Sequence, residues 1–455
     1  MKGILSENMI DYVLFHLRMN YSIPKKMMEK FKFILGVPNL TSDKKIYFLL
    51  SDKSLNEEEI HYNDGLPILF SVLDRKGFYH IEEGNLIFHV DLFKSVFYLL
   101  SGYQELSPDF TDNMGRYPYK LSIQNKLNMT RKPLVNYYFE IIYEGLTAYG
   151  KHFGLSPEKR RYFNDFCFFL SHDVDRIDTY TFYEWGFKVK QVLGLAESPF
   201  NKLKTTALAA KFLLNCLNIL NRSNPHWDFE YHFALEEKFD FHSSFFFLPK
   251  GLLHQDAYYS FNEKRLKELF QLIEKKHCEI GLHGTVRSAR QQSIFLDNLN
   301  EIKKYARNIK GNRQHRLLFD VNATPLIYHK AGLLYDTSLG FAEHEGFRNS
   351  YCLPYKLYDH KNDCMLDTWE IPLAAMDVTL FMYRKHDIKS ARDTIHVILN
   401  EVKKFNGIFS LLWHNGNFDE TLNPGIRMFY ENLLKDISDM NPDSLTGSEI
   451  INRIN

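Results

Sequence analysis

After about residue 163 the chain repeats one pattern: a short run of apolar residues closed by polar or turn-forming ones. The runs are "DFCFFL", "SSFFFLP", "CEIGLHG" and "GIFSLLWHN". Apolar runs of this length, without alternation, mark strands buried on both faces. Amphipathic helices lie between them. In "KRLKELFQLIEKKH", Leu266, Leu269, Phe270 and Ile273 follow the i, i+3, i+4, i+7 spacing, and in "DTIHVILNEVKKFNG", Ile395, Ile398, Leu399 and Val402 repeat it, with Gly407 placed as a helix C-cap. Strand–helix alternation predicts an α/β unit, a parallel sheet or barrel wrapped by helices, with functional groups at the carboxyl ends of its strands. Mostly helical sequence from Thr181 to Arg222 interrupts it and reads as an insertion near 181–222.

The first 150 or so residues are organised differently. "KIYFLL", "LPILFSVLD" and "NLIFHV" read as strands, and "DLFKSVFYLLSGYQE" as a helix with Leu92, Phe93, Val96, Phe97 and Leu100 on one face. A polar stretch, "SPDFTDNMGRYPYKLSIQNKLNMTRKP", reads as a long loop, and "LVNYYFEIIYEGLTAYG" as the helix leading into the second unit. A chain of 455 residues exceeds one ordinary core. The expected division is an N-terminal α/β or α+β accessory domain over 1–160 and an α/β barrel domain over 161–455.

Composition narrows the partners. With 45% hydrophobic and 25% charged residues the chain is globular, and 56 basic residues against 56 acidic ones create no field that gathers nucleic acid. The five cysteines are scattered, odd in number and without a CxxC pair, which suits a reduced compartment. The N-terminal "MKGILSENMIDYVLFHLRMN" lacks the marks of a signal peptide and no apolar run reaches the length of a membrane span, so the expectation is a cytoplasmic protein with no membrane span.

The chemistry gathers at strand ends. "FFLSHDVD" carries an apolar run directly into His172, Asp173 and Asp175, and burying carboxylates is costly unless they are paired or bind a metal. Alternate residues of an extended chain face the same way, so the two aspartates can share one ion's surroundings. His242 stands before the second strand, His283 in the third and His414 after the last. In "GLHGTVRS", Gly284 permits a close backbone approach beside His283.

Taken in order, "LSHDVD", "EIGLHGTVRS", "GNRQHRLLFD", "YDTSLGF" with "GFRNSYCLP", and "FSLLWHN" resemble the motif series of NodB-like polysaccharide deacetylases, over roughly Phe163 to Tyr430 and in a divergent version with an extra N-terminal domain. The resemblance implies a distorted, incomplete (β/α) barrel and a metal-dependent hydrolase, usually with zinc, that removes acetyl groups from N-acetylated sugars. It assigns Asp173 as general base, Asp175 and His283 as metal ligands, His414 as general acid, Arg313 as the residue that orients the base, and Asp336 as a later acid supporting the site. The substrate implied is an N-acetylated carbohydrate or glycan precursor.

One position departs from the pattern. Where the family has its second metal histidine, this chain has Arg287, which stays protonated and cannot ligate. A third ligand then comes from His172, His315, Ser288 or water. The same departure motivates an alternative, a carbohydrate-binding protein that keeps the barrel without turnover; hydrolysis of another C–N bond in a small amide uses the same groups. Trp413 and Trp369 are candidates for an apolar wall against a sugar ring or acetyl methyl, with core packing the competing role. Asp178 and Arg176 read as a solvated loop, His344 and Glu345 as a surface turn, and His226 and Trp227 as capping and packing residues.

Overall fold

Four strands make the N-terminal sheet: β1 (Phe31–Leu35), β2 (Ile46–Leu50), β3 (Tyr79–Glu82) and β4 (Asn85–Phe88), in the order β1-β2-β4-β3. All neighbours are parallel except the β3–β4 hairpin. Helices Leu92–Leu100 and Leu134–Gly150 pack on this sheet. They approach it closely, since a Cβ at Gly145 would lie 2.7 Å from the Phe88 ring. "KIYFLL" and "NLIFHV" supply β2 and β4 as the pattern predicts. "LPILFSVLD" does not form one strand: Leu66–Ile68 makes a hairpin with His61–Asn63, and only a single bridge, Ser71 to Val90, follows. The computed structural model describes residues 3–455 apart from 41–42, 107–110, 199, 221–223, 252, 254–255, 419 and 421–423. Parts of the expected polar loop (107–110) and of the expected insertion (199 and 221–222) therefore lie outside the described residues.

The second sheet has ten strands: β5 (Cys167–Val174), β6 (Ser243–Phe247), β7 (Glu279–Gly284), β8 (Gly311–Gln314), β9 (Tyr335–Asp336), β10 (Tyr355–Asp359), β11 (Cys364–Glu370), β12 (Ala375–Met376), β13 (Ile408–Leu412) and β14 (Asp443–Ser444). Its order is β10-β11-β9-β8-β7-β6-β5-β13-β12, with β14 pairing on the start of β5. From β11 to β12 every pair is parallel; only β10 runs antiparallel, against β11. The sheet curls into an incomplete barrel. The edge strands are β10 and β12, and residues 371–374 alone join β11, the neighbour of β10, to β12. Ser410 fixes the crossing by accepting from the Ala374 amide at 2.8 Å and donating to the Pro372 carbonyl.

The four predicted apolar runs become β5, β6, β7 and β13, and helices Lys264–Lys275 and Ile388–Lys404 cover the sheet with the predicted residues buried. Gly407 has a different role from the expected C-cap. Asn406 takes the left-handed conformation there (φ 52°), while Gly407 is required because a Cβ would meet the Cys352 carbonyl at 2.7 Å. The interruption after β5 is helical as expected, with helices Phe182–Val192 and Lys202–Cys216 packed on each other.

One buried cluster runs through both sheets' surroundings, from Tyr12 and Phe97 to Tyr358 and Trp369. Polar contacts cross with it. Arg348, fully buried, forms a forked pair with Glu105 at 2.9 and 2.6 Å, and Gln124 donates to the Arg348 carbonyl at 2.7 Å. A buried charge is tolerated on such terms, paired and with its remaining donors used.

Candidate active site

β5 is extended through its last residue, so Ser171 and Asp173 point to the barrel interior and His172 to the opposite face. Arg313, from β8, crosses the interior to meet them. Its Nη1 donates to Asp173 Oδ1 at 3.0 Å and to Ser171 Oγ at 2.9 Å, and its other nitrogens reach the Thr337 carbonyl (3.0 Å) and hydroxyl (3.2 Å). The guanidinium also lies over the Phe246 ring, 4.8 Å from its centre. One oxygen of Asp173 is thereby fixed, and the other faces His283 Nε2 at 3.7 Å.

Three side chains converge beside this pair. His283, in β7, donates from Nδ1 to the Arg313 carbonyl at 2.8 Å, which sets the tautomer and leaves Nε2 as a lone pair. That Nε2 lies 3.2 Å from Asp175 Oδ1. His315, one residue past β8, brings its Nε2 to 3.7 Å from the same oxygen. Asp256 stands behind it, 3.6 Å from Nδ1. The chain turns sharply after His315, with Arg316 (φ 62°) and Leu317 (φ 55°) both in the left-handed region, a conformation that costs about 1–3 kcal/mol per residue and gathers at functional sites. Gly284 lets β7 approach β8, since a Cβ would stand 2.5 Å from Gln314 Oε1.

Asp175, His283 and His315 form a set with the geometry to hold a metal ion. Asp175 Oδ1 is buried and has no hydrogen-bond partner among the described residues, although two imidazole nitrogens point at it. A cation satisfies all three at once, and a carboxylate with two imidazoles is a three-ligand set of the kind zinc takes when a position is left for water or substrate. Without the ion, burial would raise the Asp175 carboxyl, but His315, His283 and His414 outweigh it and hold it well below the usual range.

His414 faces the set from the other side, its Nε2 4.0 Å from Asp175 Oδ2. Its Nδ1 donates to Asp377 Oδ1 at 2.7 Å, and its backbone amide donates to Asp377 Oδ2 at 2.8 Å. Burial pulls the imidazolium down; the Asp377 carboxylate, with Asp175 and Asp173 beyond, more than reverses this and lifts its pKa to about 10. With no ion bound, these carboxylates favour the protonated ring.

A cleft of about 380 Å³ opens over these groups. Its apolar side is built from Met114, Leu317, Met376, Val378 and Met382, and its aromatic member is Tyr383, half exposed. Arg116 closes one rim, held by Asp112 at 2.8 Å and reaching the Tyr383 hydroxyl at 3.4 Å. Met114 and Arg116 belong to the N-terminal segment, so that segment supplies part of the cleft wall.

Several expectations change here. Trp413 is fully buried among Phe418, Phe429 and Tyr430, because it points away from the cleft that its neighbour His414 enters; Trp369 is likewise core, against Phe15. Neither offers a face to a ligand. Asp336 makes no hydrogen bond or ion pair with Asp173, Asp175, His283 or His414 among the described residues. It accepts from Asn312 and Ser338 and stands opposite Glu370 on the adjacent strand, where burial pushes its carboxyl up. It ties β8 to β9, and only its neighbour Thr337 touches Arg313.

His242 precedes β6 and therefore sits at the amino ends of the strands, opposite the cleft, where its amide donates to Ser444. Arg287 is exposed and Ser288 is consumed by Thr285 and Gln314, so of the candidates for a third ligand only His315 arrives. His344 and Glu345 are buried rather than on a surface turn, Glu345 pairing with Arg131 at 2.6 Å. Sequence reading missed Asp377 and Asp256, the two carboxylates behind the histidines. Each is a lone acid outside any motif, Asp377 just past a two-residue strand and Asp256 in the segment after β6.

Residues 8–150 match the model of a family of unknown function, DUF7033. No curated protein sequence matches the chain. Among solved structures, a putative polysaccharide deacetylase from Mycobacterium smegmatis is similar at 16% identity, covering 64% of this chain and 90% of that one with a TM-score of 0.41. An allantoinase is similar at 10% identity, with 64% and 90% covered and a TM-score of 0.40. A pseudoenzyme of the CE4 family from Bacillus anthracis is similar at 9% identity, with 63% and 66% covered and a TM-score of 0.31. No helix among the described residues is long and apolar enough to cross a membrane.

Proposed function

We propose that the chain is a metal-dependent hydrolase that removes an N-acetyl group from a sugar or glycan precursor. The observation that carries this reading is the placement of one fixed carboxylate, Asp173, and one fixed imidazolium, His414, on either side of the Asp175–His283–His315 set. A divalent ion held there, zinc by the character of its ligands, supplies Lewis acidity toward water and toward the amide carbonyl.

The protein's own groups do the rest. An amide resists hydrolysis because its carbonyl is a poor electrophile and its nitrogen a poor leaving group. Asp173 has one oxygen held by Arg313 and the other directed to the cleft, so it takes the proton of the attacking water through the second. His414 carries its proton on Nε2 and gives it to the departing nitrogen, while Asp377 keeps the ring oriented through Nδ1. Each such positioned acid or base is worth about 10² to 10⁴ in rate. The methionine-lined side of the cleft accepts the acetyl methyl, and Tyr383 presents the ring face suited to a sugar. The ligand that Arg287 cannot supply comes from His315, which removes the reason for preferring a binding protein without turnover. The division into an accessory unit over 1–160 and a catalytic unit over 161–455 belongs to the same reading, the first closing the cleft of the second through Met114 and Arg116.

Acetate release from N-acetylated glycans tests it. Asp173→Asn and His414→Ala each abolish release while the circular dichroism spectrum is kept; release at the wild-type rate from either variant contradicts its assigned role.

A further inference from the structure

Behind β5, on the face opposite Asp173, a second group of ligating atoms has no part in the mechanism above. His172 Nδ1 meets the Trp413 carbonyl at 2.9 Å, and a carbonyl only accepts, so Nδ1 carries a hydrogen. Nε2 of the same ring then faces Glu236 Oε1 at 3.0 Å. In a neutral ring these are two acceptors in contact, and something positive has to lie between them. His232, one helical turn before Glu236 in helix Phe229–Phe239, packs edge-on against His172 with ring centres 4.3 Å apart. It is fully buried, and neither of its ring nitrogens has a hydrogen-bond partner among the described residues.

A proton shared between His172 and Glu236 satisfies those two and leaves His232 with both nitrogens unpaired in the core, where an unsatisfied polar group is costly. A metal ion satisfies all three residues. One ligand atom from each lies within 4.8 Å of the others. We propose that His172, His232 and Glu236 form a second, structural site for a divalent cation of the zinc type, separate from the cleft. Two imidazoles and a carboxylate suit zinc, and the His172 contact to the Trp413 carbonyl is the kind of outer partner that orients a ligating ring. A surface cavity of about 240 Å³ reaches Glu236 and Cys278, giving an ion a way in. The bound ion would pin helix Phe229–Phe239 to β5 and, through Trp413, to the residue next to His414.

The test counts zinc in a protein whose cleft ligands are gone. The triple variant Asp175→Ala, His283→Ala, His315→Ala, dialysed after loading with zinc, is expected to keep about one equivalent by mass spectrometry, and to lose it when Glu236→Gln or His232→Gln is added. A folded triple variant without metal, or an equivalent that survives Glu236→Gln, overturns the proposal. Should the triple variant not fold, His232→Gln in the otherwise wild-type chain is expected to lower the zinc content by one equivalent, and an unchanged content overturns it.

Discussion

His414 is gripped twice by Asp377, through its ring at 2.7 Å and through its backbone amide at 2.8 Å, so one buried carboxylate fixes both where the imidazole sits and which nitrogen it offers. The pair joins the end of β13 to the residue after β12, at the edge of the sheet where the barrel opens. Its consequence, with no ion bound, is a histidine whose protonated form is favoured.

Removing that carboxylate's charge should move the pH profile. In Asp377→Asn the imidazolium loses its main support and its pKa falls from about 10 toward or below neutrality. Because the general acid works in its protonated form, kcat of the variant declines as pH rises past about 7, where the wild type is still level, and the maximal rate falls by about 10². A kcat profile from pH 5.5 to 9.5 shows the shift; a variant whose alkaline limb coincides with the wild type's contradicts the assignment.

Arg313 makes a stability prediction. Arg313→Met leaves Asp173 buried without its counter-charge, and breaking one partner from a buried pair costs about 3–5 kcal/mol. Urea unfolding measures it. Arg313→Lys should recover part of the stability and little of the activity, since a lysine cannot span Asp173, Ser171 and Thr337 together.

Acid sensitivity should trace in part to a residue outside the cleft lining. His16 is fully buried, donates from Nδ1 to the Tyr12 carbonyl and accepts the Lys356 amide at Nε2, so it folds as the neutral ring; burial lowers its pKa to about 3. The unfolded chain takes up a proton near pH 6.5 that the folded chain refuses. The contribution is therefore complete above about pH 6.5 and is lost as pH falls from there toward 3, by about 1.4 kcal/mol per unit. Between pH 7 and pH 5 the wild type should lose about 2 kcal/mol more than His16→Gln, read from unfolding curves at the two pH values.

Much of this arrangement was legible in the chain. The apolar runs at 165–170, 243–249, 278–284 and 407–415 mark β5, β6, β7 and β13, because strands buried on both faces leave an uninterrupted signature. β8, with the sequence GNRQ, and β9, with YD, leave none, because their polar residues are buried in pairs: Arg313 with Asp173, a pairing that only the motif resemblance implies, and Asn312 with Asp336, which nothing in the chain announces before the fold exists. The same holds for Asp377 and Asp256. Trp413 shows the converse limit, since adjacent residues leaving a strand face opposite ways and only coordinates tell which one meets the cleft.

Gly407→Ala tests the packing behind the site. A methyl there would stand 2.6 Å from Cys352 Sγ and 2.7 Å from its carbonyl, and overpacking of this sort typically costs about 1–3 kcal/mol. The thermal midpoint should fall by several degrees, with Cys352→Ala restoring little because the backbone oxygen remains in the way.

The central claim is that Asp175, His283 and His315 gather one cation between Asp173 and His414. Anomalous diffraction at the zinc edge from crystals of the zinc-loaded protein tests it most directly. The account predicts a peak within about 2.0–2.2 Å of Asp175 Oδ1 and of Nε2 on both histidines; a loaded crystal with no peak there, or with one that His315 does not touch, contradicts it.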